Sequence, residues 1–108
     1  MTHAVFAKNN GFHRISIKGH AGHSSPDIVC AAASMLACTL VSMISCISGA
    51  SSSISDGCVT ASVKSSEKTD VIVSTIKRGF ELLSEKYPKN VTLFKEINYE
   101  TNYRKADT

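Results

Sequence analysis

Charge is scarce in this chain: of 108 residues, 19% are Asp, Glu, Lys or Arg, with 12 basic residues against 9 acidic ones. A net charge of +3 falls short of the basic stripe that would make nucleic acid the default partner. The sequence has no Cys-x-x-Cys and no second pair of histidines beyond His20 and His23. Those two and Cys30 would give three zinc ligands, where a closed structural site needs four. The first residues show no charged n-region, apolar h-region and small-residue cleavage site, so the expectation is a cytoplasmic protein with reduced thiols. Cys30, Cys38 and Cys46 recur every eight residues in one helical pattern, about 12 Å apart along the axis and beyond the roughly 7 Å reach of a disulfide. At most one bridge remains, to Cys58. No repeat appears, and no low-complexity run is longer than Ser51 to Ser53.

What is present suits one globular domain over residues 1–98, with a polar tail over 99–108. Hydrophobic residues make up 43% of the chain, and a domain of this size buries roughly two-thirds of its unfolded surface. His3 to Lys8 reads as a strand, Asn9-Asn10-Gly11 as a turn, and Phe12 to Lys18 as a second strand with Ile15 and Ile17 alternating against polar neighbours. Gly19 to Pro26 is too rich in turn formers to continue it. From Ile28 to Ile47 twenty residues carry no charge, which meets a membrane span on length alone. Ser34, Thr39, Ser42 and Ser45 dilute the run, however. Val29, Ala33, Leu36, Leu40, Met43 and Ile47 form an apolar stripe beside a second stripe of Cys30, Ser34, Cys38, Ser42 and Ser45. That is the pattern of a core helix, with Asp27 at the N-cap, Gly49 at C′ and the serines to Ser55 as the next loop.

Gly57 to Lys64 alternates as a third strand. Thr69 to Tyr87 is a second helix, with Ile72, Ile76, Phe80, Leu83 and Tyr87 on one face and Pro88 as its stop. Val91 to Ile97 is a fourth strand. The order ββαβαβ predicts an α+β two-layer sandwich, two helices over one face of a four-stranded sheet. The uncovered face and the small-residue stripe suggest a homodimer.

The chemistry concentrates between Gly19 and Ser34. A thiol in the first turn of a helix faces unpaired backbone N–H groups and the positive end of the helix dipole, both of which favour thiolate. If His20 or His23 comes within hydrogen-bond reach of Cys30, the pair is a nucleophile with its base. N–H groups around Val29, Cys30 and Ala31 would hold the oxyanion of an attacked carbonyl. Ser34, one turn on, can hydrogen-bond the sulfur, the base or the substrate, and Asp27 serves as a cap. The same residues admit an oxidant-sensing thiol with Cys58 as resolving partner. Lys8, Arg14 and Lys18, with no acid before Asp27, admit attraction to acidic surfaces through a basic strand face.

The segments Ile15-Ser16-Ile17-Lys18-Gly19-His20-Ala21-Gly22 and Asp27-Ile28-Val29-Cys30-Ala31-Ala32-Ala33-Ser34 resemble the ribosomal processing cysteine protease family, Prp. Its hallmark is Gly-His-Ala followed by Asp-Ile-Val-Cys-Ala-Ala. Glu85-Lys86-Tyr87-Pro88-Lys89 resembles the end of that family's second helix. The resemblance implies a cytoplasmic, dimeric endopeptidase that removes the N-terminal extension of ribosomal protein bL27. It makes His20 the catalytic histidine and Cys30 the nucleophile, with Asp27, Ser34 and Gly19 in support. Nine residues separate His20 from Cys30, a shorter loop than is typical of the family. No cofactor, metal, nucleic acid or membrane enters this expectation. The alternative is a non-catalytic ribosome-associated protein of the same fold.

Overall fold

The computed structural model describes residues 2–19, 27–55 and 57–96. His20, His23 and the polar tail lie outside them. The order is β1 (Thr2–Asn9), β2 (Phe12–Lys18), α1 (Asp27–Ile44), β3 (Ser51–Ser55), β4 (Cys58–Lys64), α2 (Glu67–Lys86) and β5 (Val91–Glu96). The strands form one sheet in the order β3-β4-β2-β1-β5. All neighbours are antiparallel except β1 and β5, which run parallel.

The β1–β2 hairpin turns through Asn10 (φ 52°) and Gly11 (φ 77°), the two left-handed residues that an Asn-Gly turn of type I′ supplies. Its register, Asn9 against Phe12 and Ala4 against Ile17, sends Ala4, Phe6, Ile15 and Ile17 to one face, where Ala61 and Val63 of β4 join them. Both helices cover that face. Val29, Ala33, Ala37, Leu40 and Ile44 are the buried stripe of α1, and Ile72, Val73, Ile76 and Phe80 that of α2. The stripe of α1 is rotated from the predicted one: Ala37 and Ile44 are inside, Leu36 is half-buried, and Met43 is 46% exposed. No helix among the described residues is long and apolar enough to cross a membrane.

The α+β reading with helices on one face stands, but among the described residues the sheet has five strands rather than four. The additional one, β3, occupies the serine stretch read from sequence as a loop. All five of its residues are exposed, so no burial pattern marks it. It is held by antiparallel pairing with β4, Ser55 against Cys58 and Ser51 against Ser62. Helix α1 ends at Ile44 and not at Ile47. Turns closed by Ser45 N–H to Val41 O (3.0 Å) and Ile47 N–H to Ile44 O (2.9 Å) carry the chain to Gly49 (φ 84°). At the other end Asp27 is already helical, one residue earlier than the predicted boundary. Helix α2 starts at Glu67 instead of Thr69 because Ser66 caps it. Its hydroxyl accepts from the Thr69 N–H at 3.1 Å, and the Ser66 N–H donates to Thr69 Oγ1 at 2.8 Å. That reciprocal cap carries the helix through the β-branched run Val71-Ile72-Val73.

Candidate active site

A cleft of about 280 Å³ opens between the start of α1 and the β3–β4 end of the sheet. One wall follows from helix geometry. Val29, Ala33 and Ala37 are buried against the sheet. Cys30, Ser34 and Cys38 each stand one residue later and about 100° further round the axis, so they line the cleft. Ile54 and Val59 form the opposite wall, with Ile17 and Thr2 beneath. The second stripe seen in sequence is thus a cleft wall over its first three members, while Ser42 and Ser45 lie exposed beyond it.

Two glycines close one end. The Gly19 N–H donates to the Gly57 carbonyl at 2.8 Å, and both residues have left-handed φ, 93° and 74°. A side chain at either would be strained. This bond ties the end of β2 to the start of β4, and it fixes the last described residue before His20 in the wall of the cleft that holds Cys30.

Cys30 is the fourth residue of α1 and half-buried. In a helix that starts at Asp27, the N–H groups of Asp27, Ile28 and Val29 have no intrahelical acceptor, whereas the Ala31 N–H is committed to the Asp27 carbonyl. The expected donors Val29, Cys30 and Ala31 therefore shift toward the N-terminus, with Val29 common to both sets. Ser34 is exposed, one turn from Cys30 in the same wall.

All four cysteines are free. Cys58 pairs in register with Lys18, and cross-strand partners share a face. Ile17 and Val59 alternate with that pair toward the helices, but at the very start of β4 Cys58 still borders the cleft that Cys30 lines. The one bridge left open by sequence, to Cys58, is not formed, and Cys30 and Cys58 border the same cleft as free thiols. The basic strand face also divides. Lys8 acts electrostatically on Asp70 of α2, on the helical side, while Arg14 and Lys18 alternate with the buried Ile15 and Ile17 and so face the other way.

His13 is 8% exposed, with Nε2 at 2.6 Å from Asp70 Oδ1. That carboxylate also accepts from the Ser65 hydroxyl at 2.7 Å. The pair lies near the far end of β2, about 20 Å from Gly19 at roughly 3.3 Å per residue. The ring of His3 meets Thr92 Oγ1 at 2.6 Å on the exposed surface. Among the described residues, then, no histidine lines the cleft.

Sequence reasoning missed the wall built by β3, and with it Ile54. The signal was Asp56-Gly57, the dipeptide of a two-residue hairpin turn, between Ser55 and Cys58.

Residues 1–92 match the family model described as cysteine protease Prp. Among curated proteins no sequence match is found. The fold resembles a crystal structure of a Streptococcus mutans protein at 27% identity and a TM-score of 0.70, covering 90% of this chain and 95% of that one. It also resembles the essential ribosomal processing protease Prp of S. aureus in complex with a covalently linked product peptide. There the identity is 24% and the TM-score 0.72, over 89% of this chain and all of that one. A complex of the same S. aureus protease with a substrate peptide matches at 22% identity and a TM-score of 0.70.

Proposed function

The chain belongs to the cysteine protease Prp family, and on that premise we propose that it is a Cys30–His20 dyad endopeptidase that trims the N-terminal extension of ribosomal protein bL27 in the cytoplasm, as a homodimer. The observation that carries this reading is the place of Cys30: half-buried in the first turns of α1, in a cleft whose wall includes Gly19, the residue directly before His20. The S. aureus relatives, described with a substrate peptide and a covalently linked product peptide, support a peptide substrate and a covalent intermediate.

In the proposed sequence, His20 takes the proton of the Cys30 thiol, and the sulfur attacks the scissile carbonyl carbon. Negative charge moves to the carbonyl oxygen, toward the helix N-terminus, where the N–H groups of Asp27, Ile28 and Val29 have no acceptor within the helix. The carbon–nitrogen bond then breaks, the amine leaves with the proton from His20, and a thioester remains on Cys30. Water, deprotonated by His20, attacks that thioester, releases the carboxylic acid and restores the thiol. Ser34 acts as a hydrogen-bonding neighbour in the wall, Asp27 opens the donor-bearing helix end, and Gly19 sets the chain direction into His20.

Mass spectrometry of a peptide spanning the bL27 extension junction tests the reading. Wild-type protein should release two fragments, and Cys30→Ala and His20→Ala should release none. Cleavage that persists in Cys30→Ala eliminates the dyad. Binding of the peptide with no cleavage by any form favours the non-catalytic, ribosome-associated alternative.

A further inference from the structure

The β3 edge has no strand partner on its outer side among the described residues, since β3 ends the sheet order. An exposed edge is a template for another extended chain, and proteins usually guard one with lysine, proline or a bulge. Here the strand reads Ser51-Ser52-Ser53-Ile54-Ser55, with no charge and no proline. Its last two residues, Ile54 and Ser55, are also cleft residues shared with Cys30. Ile54 is 60% exposed, a large apolar side chain left in solvent in the cleft that Cys30 also lines. It pairs with Val59, which pairs in turn with the buried Ile17, so Ile54 lies on the sheet face that looks toward α1. None of the described residues lining the cleft is charged.

We propose that the open edge of β3 is the substrate rail, where an extended peptide adds as a sixth strand, seats an uncharged apolar side chain against Ile54, and thereby brings its scissile carbonyl to Cys30. This deepens the protease reading and rests on it for the identity of the reacting bond. Main-chain pairing along β3 gives affinity, and the contact with Ile54 gives selectivity, the division of labour usual in strand addition. Five residues of strand span about 17 Å, so the rail holds about five substrate residues on one side of the scissile bond. Along that segment alternate substrate residues face β3 with their N–H and C=O groups, and the intervening ones do not.

The test separates docking from catalysis by using two proteins and one peptide series. Binding of a fluorescein-labelled bL27 junction peptide to Cys30→Ala protein is read by anisotropy, and cleavage of the same peptide by wild type is read by mass spectrometry. Moving a single N-methyl group along the peptide should weaken binding roughly tenfold at alternate positions and little at those between, the loss expected for one main-chain hydrogen bond with its donor blocked. Adding Ile54→Lys should weaken binding of the parent peptide by roughly tenfold as well, while Ile54→Val retains it. Uniform tolerance of N-methylation, undiminished binding with Ile54→Lys, or no binding at all overturns the rail. If the alternating pattern is found but wild type does not cleave, the rail stands and the dyad reading fails. If wild type cleaves and the pattern is missing, the reverse holds.

Discussion

Gly79 tests what sets the approach of α2 to α1. It sits inside α2 and is not among the residues with positive φ, so the backbone itself does not require glycine. In that position glycine costs about 0.8–1.0 kcal/mol of helix propensity relative to alanine. What it meets is α1: a Cβ built on residue 79 would lie 2.5 Å from Leu36 Cδ2 and 3.3 Å from Leu36 Cδ1. These atoms end one half-buried side chain beside an apolar groove bordered by Ala32, Met35 and Leu82, so Leu36 has room to turn. The overpacking cost should then fall in the lower part of the usual range, about 1–2 kcal/mol. Against the propensity gain, Gly79→Ala is expected to leave stability unchanged or lower it by up to about 1 kcal/mol. With Leu36→Ala in place the clash is gone and only the gain remains, so the same substitution should stabilise by about 1 kcal/mol. The sign change is a coupling of about 1–2 kcal/mol. Urea unfolding of the four proteins, followed by circular dichroism and compared at a shared m-value, measures it. Effects that add to within about 0.5 kcal/mol would refute the argument, because Leu36 would then not be what keeps residue 79 a glycine.

Phe80 is fully buried and its ring centroid lies 6.0 Å from that of Phe6, so Phe80→Ala should cost about 3–5 kcal/mol in urea unfolding; a loss under about 1 kcal/mol would mean that α2 does not pack as described. The Asp70 carboxyl is held below its ordinary 3.8 by hydrogen bonds from the Ser65 hydroxyl and then from His13. A depressed folded value adds stability above the unfolded value and loses it as pH falls through the folded one. The stability gap between wild type and Asp70→Asn should therefore be full above 3.8 and shrink below it; a gap that widens on acidification contradicts the assignment.

Pattern and burial agree where the sequence was legible. The second strand, Phe12–Lys18, has the same bounds in sequence and structure, because Ile15 and Ile17 alternate and the Asn9-Asn10-Gly11 cluster marks the turn before them. In α2, the apolar face that the spacing of Ile72, Ile76 and Phe80 marks is the buried one. The rotated stripe of α1 has a simple cause: alanine, methionine, leucine and isoleucine lie on every side of a helix with no charge after Asp27, so hydrophobicity alone cannot tell which side meets the sheet. Contact with the sheet and with α2 decides it, burying Ala37 and Ile44 and leaving Met35 67% exposed. His13 was illegible for a related reason, since its partner Asp70 is 57 residues away in the chain.

The candidate site divides along the same line. Cys30 and Ser34 could be read as neighbours because both lie on one helix at a spacing of four, a local relation that the chain itself fixes. The far wall is non-local. Ile54 faces Cys30's cleft only because β3 pairs with β4 and β4 with β2, and a strand that buries nothing shows no alternation to be read. The position of Cys30 and the shape of the cleft around it thus have different sources. Substitutions along the Val29, Ala33, Ala37 stripe should disturb the placement of Cys30 through packing, whereas substitutions along Ser51 to Ser55 should leave the fold intact and act on the substrate. If β3 is the substrate rail proposed above, selection of substrate can change in this architecture without any change in the helix that carries the sulfur.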